Sequence, residues 1–467
     1  MSTMDLKALF AQVADHAAGR RAGDCERRHA PDAAYEEQLR RFAIDLSRDG
    51  VAPEQAIREL IDLATPGLAA MTGPRFFGWV IGGSNPVGVA ADWLASAWGQ
   101  NTANHFATPS ASAAEATAAT ALLELLDLPG ESSVGFVTGA TMASFTCLAA
   151  ARSEVLRRAG WDIEADGMTG GPPITVILGA EAHSTIFAGL KYLGFGDRRL
   201  VRVDVDTNGA MLADAAVDAI RKATGPVIVV AQAGHINSGS FDPFVPIAEA
   251  CRASGAWLHV DGAFGLWARA TDSHRELGRG VERADSWSVD GHKWLQTPYD
   301  SAYAIVRHPE AHRRAMQIAA SYLPSAGEGT RVPADYVPEL SRRARGFATW
   351  AMIRHLGRRG IAEMVSRHCA LARRMALILS AAGAEVLNDV VLNQVAVHFG
   401  NDAETQATIA RIQADGVCFV GGAQWRGRQI MRVSVINETT TEADIDLSAK
   451  AMLAAWKSVR VQAGGAA

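Results

Sequence analysis

Pro226-Val-Ile-Val-Val230 and Ala256-Trp-Leu-His-Val-Asp261-Gly-Ala263 are short apolar runs, the first rich in β-branched residues, separated by a stretch of helical character. Runs of this length bounded by Gly and Pro read as buried strands, and strands alternating with helices build a mainly parallel sheet covered on both faces. The rhythm continues outward. Upstream lie Gly135-Phe-Val-Thr138, Ile174-Thr-Val-Ile-Leu178 and Leu200-Val-Arg-Val203; downstream lies Ala302-Tyr-Ala-Ile-Val306. The pattern predicts an α/β core from about residue 130 to 310.

Around that core the pattern changes. Residues 1–70 are charged and helix-prone, with breaks at Gly23, Pro31 and Pro53, and read as an N-terminal helical segment. Past residue 345, Met364, Leu371, Met375 and Ile378 recur on one helical face. The runs Gln394-Val-Ala-Val-His398 and Ile430-Met-Arg-Val-Ser-Val435 follow, then a final helix for which Thr441 and Asp444 form a cap. The expected division is a large domain over 71–345 and a smaller α+β domain over 346–467.

At 467 residues and 48% hydrophobic content, the chain is long enough for both. Its 45 Lys and Arg against 50 Asp and Glu give a net charge of -5, which argues against nucleic acid or anionic lipid as partners. The most apolar region, Phe76 to Trp98, is interrupted by Pro86 and Asp92, so no membrane span is expected. Cys25, Cys147, Cys251, Cys369 and Cys418 are scattered, without metal or redox spacing. With no export signal at the start, these features point to the cytoplasm and to no bound metal. Arg342, Arg343 and Arg345 read as helix-surface salt bridges rather than a basic patch.

Asp285-Ser-Trp-Ser-Val-Asp-Gly-His-Lys-Trp-Leu295 places Lys293 after a strand-like segment, between an imidazole and an indole. A lysine facing a cleft loses its proton more readily, and a neutral amine attacks an aldehyde. Asp261 ends an apolar strand, and parallel sheets gather ligands at the carboxyl ends of their strands. A buried carboxylate there can keep a pyridine nitrogen protonated, which pyridoxal 5'-phosphate (PLP) chemistry requires. Thr138-Gly139-Ala140-Thr141 opens a small-residue helix whose first amides suit a phosphate. His183 follows a further strand and can stack on a ring, although an ordinary polar contact also accounts for it.

The order and spacing of these elements resemble the PLP-dependent group II decarboxylases, which include aromatic amino acid, glutamate and diaminobutyrate decarboxylases. The resemblance runs from Gly73-Pro-Arg-Phe-Phe77 to Arg432-Val-Ser-Val435. It implies fold type I, a PLP cofactor and a homodimer. It also implies Lys293 as the Schiff-base lysine, Asp261 as the pyridine-nitrogen partner and His183 as the stacking residue, with His292 beside them. Ala140, Thr141 and Asp290 fall where the family binds phosphate, and Phe77 and Trp79 where it lines the substrate pocket. Two departures stand out. Asp290 replaces the family's usual Asn, and His235 and Ile236 stand where hydroxyls are common.

The implied reaction is α-decarboxylation of an L-amino acid, aromatic or large and apolar, to an amine and carbon dioxide. Transamination, aldol-type cleavage and oxidative aldehyde synthesis use the same cofactor site, and a silent PLP-fold protein is the remaining alternative. Tyr322, followed by Leu323 in a Gly- and Pro-containing stretch, resembles the family's loop proton donor; Tyr336 is its rival.

Overall fold

Seven strands account for the α/β core: β1 (Ser133–Val137), β2 (Thr175–Gly179), β3 (Leu200–Val203), β4 (Val227–Gln232), β5 (Trp257–Asp261), β6 (Ser286–Asp290) and β7 (Ala302–Val306). The computed structural model describes residues 5–46, 49–318 and 331–464. β1, β4, β5, β6 and β7 are buried at every position, as expected of strands covered on both faces. The edge strand β3 is half-exposed and carries Arg202.

The sheet order is β1-β7-β6-β5-β4-β2-β3. Contiguous pairs from β3 to β6 are parallel, while β7 runs against both β6 and β1. The carboxyl ends of β1, β2, β4, β5 and β6 therefore share one edge. The helix Ala140–Arg158 crosses the sheet on small residues, including Ala143, Ser144, Cys147, Ala150 and Ala151. Their size lets it approach until Cys147 Sγ lies 3.4 Å from the Trp287 carbonyl and 3.6 Å from that of Ile305.

The chain divides into two units, one of residues 84–373 and 388–395, the other of 1–83, 374–387 and 396–467. This differs from the expected division, because the first 83 residues group with the C-terminal region rather than standing apart. Hydrogen bonds between distant segments explain it. Arg75 donates to the carbonyls of Cys25 at 2.6 Å and Val417 at 2.9 Å and pairs with Asp444 at 3.0 Å. The Phe77 amide donates to Phe419 O at 2.8 Å, and the Ser434 amide to Phe77 O at 3.1 Å. No composition signal marks such pairings.

The remaining strands, β8 (Glu385–Val386), β9 (Gln394–His398), β10 (Gly421–Trp425) and β11 (Arg428–Ser434), form a second sheet. β10 and β11 are joined by Arg426-Gly427, both at positive φ, the two-residue turn that matches strand twist. The last helix, Glu442–Gly464, starts with the expected cap: Thr441 Oγ1 accepts from the Asp444 amide at 3.3 Å, and Asp444 Oδ2 accepts from the Thr441 amide at 3.0 Å. The long helix Gly346–Ala381 is two helices joined at Gly357, whose φ of 60° breaks the repeat. No described helix is long and apolar enough to cross a membrane.

Candidate active site

Lys293 follows β6 through a turn that only glycine fits. A Cβ on Gly291 would run into Tyr303 Oη, Ser301 Oγ and Thr297 Oγ1. The turn is pinned by the Gly291 amide on Ser301 O at 3.0 Å and the Trp267 indole on Asp290 O at 3.0 Å. It leaves the Lys293 side chain 14% exposed, with Nζ 2.8 Å from Asp290 Oδ2. The ammonium also lies 5.8 Å over the Phe264 ring, close enough for a cation–π contact.

His292 is held by Ser301 and Tyr299. Its Nδ1 donates to Ser301 O at 2.9 Å, and its ring lies 4.4 Å from that of Tyr299. Burial holds its pKa below the ordinary imidazole value, outweighing Asp290, so the ring is neutral with its lone pair on Nε2.

Asp261 ends β5 and is 5% exposed. Its Oδ1 accepts from the Ala263 amide at 3.2 Å and from Ser288 Oγ at 3.4 Å. Ser288 in turn accepts from Ser144 Oγ at 3.0 Å, so two hydroxyls tie the carboxylate to the helix that crosses the sheet. Sequence reasoning missed both serines. The alternation of Ser286, Ser288 and Asp290 in an otherwise apolar strand was the available signal, since these residues share one face.

His183 caps the helix Ser184–Tyr192. Its Nδ1 accepts from the Thr185 amide at 3.4 Å and lies 2.7 Å from Thr185 Oγ1, which puts the ring proton on Nε2. Ala182 and Asp261 line one small cavity together with Asp242. His235 is buried, its Nε2 3.2 Å from Glu181 Oε2 and its Nδ1 accepting from the Asn237 and Ser238 amides. An imidazole locked to an acid thus takes the place where the family has hydroxyls.

At the start of the helix Ala140–Arg158, the Ala140 amide donates to Asp290 Oδ1 at 2.7 Å. The first intrahelical bond runs from Ala143 to Gly139, which leaves the Thr141 and Met142 amides and the Thr141 hydroxyl at the positive end of the helix.

Phe77 and Trp79 belong to the other unit. Phe77 is fully buried, while Trp79 is 56% exposed and leans on Phe76 and on Phe419, whose rings stack at 4.6 Å. Trp79 and Val80 both have left-handed backbones, at φ 56° and 60°, a costly conformation for bulky residues. Tyr322 lies outside the described residues. Tyr336 is held between Arg331, 5.1 Å over its ring, and His312, 5.2 Å away.

One expectation needs correction. Arg342 is not on a helix surface: it is fully buried and makes a bidentate pair with Glu115 at 2.7 and 3.1 Å. Arg343 and Arg345 form ion pairs, with Asp92 and Asp300 respectively, but from the loop before the helix that starts at Gly346, and the Arg345 side chain is only 9% exposed.

This donor set fits PLP. It offers a buried, hydrogen-bonded carboxylate for a ring nitrogen, an imidazole on the neighbouring loop, a lysine in a confined turn and helix amides for a phosphate. The fold and these groups define a fold type I PLP-dependent enzyme. The pyridoxal-dependent decarboxylase conserved domain matches residues 37–399 of the chain. Aromatic-L-amino-acid decarboxylase of Bacillus atrophaeus is 27% identical over 395 residues, 81% of this chain and 80% of the relative. The Sus scrofa enzyme of the same name is 28% identical over 429 residues, covering 87% and 85%. The structure of Oryza sativa TDC with PLP and tryptamine superposes with a TM-score of 0.89 at 21% identity, covering 97% and 98%. The chain belongs to the pyridoxal-dependent decarboxylase family: it is a PLP-dependent amino acid decarboxylase, a carbon–carbon lyase.

Proposed function

We propose that the substrate is an aromatic or large apolar L-amino acid, converted to its amine and carbon dioxide by a cytoplasmic homodimer. The observation that carries the site assignment is that His183, Asp261 and Lys293 stand at the ends of β2, β5 and β6, along one edge of the parallel sheet. PLP supplies an electron sink for the pair left when carbon dioxide departs.

The chain's own residues do the rest. Lys293 would hold the cofactor through its Nζ. Asp261, fixed by Ser288 and the Ala263 amide, keeps the ring nitrogen protonated. His183 would stack on the ring, His292 would complete the cofactor-binding set, and Ala140 and Thr141 would hold the phosphate. Tyr322 returns a proton to Cα. Support for the substrate class comes from the aromatic decarboxylases among the relatives and from Trp79, which the family resemblance assigns with Phe77 to the pocket wall. Five unpaired cysteines accord with a reducing compartment.

Borohydride reduction of the PLP-loaded protein, followed by peptide mapping, should place the label on Lys293; a label on Lys191 would overturn the assignment. Incubation with tryptophan, tyrosine, phenylalanine and glutamate, with amine and carbon dioxide measured by mass spectrometry, tests the substrate class. Turnover of glutamate alone would refute it.

A further inference from the structure

Asp290 ends β6 and is 2% exposed. Its main chain is fixed, with the amide on Ala263 O at 2.9 Å and the carbonyl accepting from the Trp267 indole at 3.0 Å. Its two carboxylate oxygens are divided between two groups that the cofactor also needs. Oδ1 accepts the Ala140 amide at 2.7 Å, and Oδ2 lies 2.8 Å from Lys293 Nζ. Gly139 brings no side-chain cap, so the anion at the positive end of this 19-residue helix is Asp290. His292, with Nε2 3.7 Å away, is neutral and does not offset the charge.

An amide committed to a buried carboxylate at this distance is a poor donor to a phosphate oxygen. Two anions at one helix end also repel each other, more strongly where water is excluded. We propose that Asp290 is a built-in competitor of the cofactor phosphate, and thereby the residue that sets how tightly this chain holds PLP. Its carboxylate caps the helix and pairs with Lys293, which stabilises the protein at the expense of phosphate affinity. A neutral amide in its place relieves the repulsion and leaves the fold in place. The inference rests on the reading that the phosphate sits at the first turn of this helix.

The probe is pyridoxine 5'-phosphate, which keeps the ring and phosphate but has an alcohol where PLP has its aldehyde, so it reports the phosphate site without covalent attachment. The full chain, stripped of cofactor, is titrated by calorimetry with this ester and with unphosphorylated pyridoxine. Asp290→Asn should bind the ester at least about tenfold more tightly, leave pyridoxine binding unchanged and melt at a lower temperature without ligand. Unchanged or weaker ester binding would overturn the proposal. Asp290→Ser, expected to shift ester binding in the same direction, keeps the test open if the first variant does not fold. Thr141→Ala separates the two readings. If it leaves ester binding unchanged, the phosphate assignment fails; if it weakens binding while Asp290→Asn changes nothing, only the competitor role fails.

Discussion

Asp261 draws its position from two sides, its own turn through the Ala263 amide and the crossing helix through Ser288 and Ser144. Removing its charge should therefore affect chemistry more than folding. Asp261→Asn is expected to lose on the order of 10²-fold in turnover while retaining most of its PLP, measured by steady-state kinetics beside cofactor content. Wild-type turnover would make Asp261 structural. Tyr322→Phe should keep the visible spectrum of the bound cofactor, lose amine product and gain oxygen-dependent aldehyde and hydrogen peroxide. The same replacement at Tyr336, whose ring is already engaged by Arg331 and His312, should leave the amine yield intact. Product analysis of the two variants decides which tyrosine acts.

Among the elements, the turn after β6 and the helix Pro109–Leu125 invite direct tests. Gly291→Ala drives a methyl into three hydroxyls and should cost about 1–3 kcal/mol of stability, read by denaturant titration, together with weaker PLP retention. Glu115 on that helix and Arg342 are both fully buried, and their pairing satisfies each charge. Glu115→Gln leaves a buried guanidinium without its counter-charge and should destabilise the protein by about 3–5 kcal/mol. A loss below 1 kcal/mol would show that water or Phe136 O, which accepts from Arg342 at 2.9 Å, compensates for the missing carboxylate.

At the scale of the whole molecule, buried titratable groups set the acid response. Burial is the largest influence on His29, brought down to about 4, and on His259 and His312, each brought down to about 3. Each is neutral when folded but binds a proton near pH 6.5 when unfolded, so its stability contribution is present above that pH and is lost as pH falls below it. Asp242 opposes them: burial raises its pKa to about 7, so its contribution falls as pH rises from the unfolded carboxylate range toward 7. Three histidines against one carboxyl leave a net loss of roughly 2 kcal/mol between pH 6.5 and 5.5, measurable as a falling urea midpoint. A midpoint unchanged over that interval would contradict this balance. The helix Pro86–Trp98 exposes Trp93, Leu94 and Trp98, an apolar patch that the proposed homodimer is expected to bury. Trp98→Glu should shift the protein toward monomer in analytical ultracentrifugation, and a wild-type protein already monomeric at micromolar concentration would refute the homodimer.

The sequence by itself determined the class of sheet, because burial on both faces demands continuous apolar runs, such as the β-branched Val227–Val230. It also placed Asp261 at a strand end, Lys293 just past one and the Thr441 cap, since these depend on local geometry and spacing of a few residues. Strand order, the grouping of residues 1–83 with the C-terminal region and the burial of Arg342 were decided only in three dimensions. Each depends on partners hundreds of residues away, such as Glu115 for Arg342 and Val417 for Arg75, and a hydrogen-bonding side chain reads the same in sequence whether its partner is water or a buried carboxylate. The same holds for Asp290: sequence marks the acid as a departure, but only the fold brings it between the Ala140 amide and Lys293.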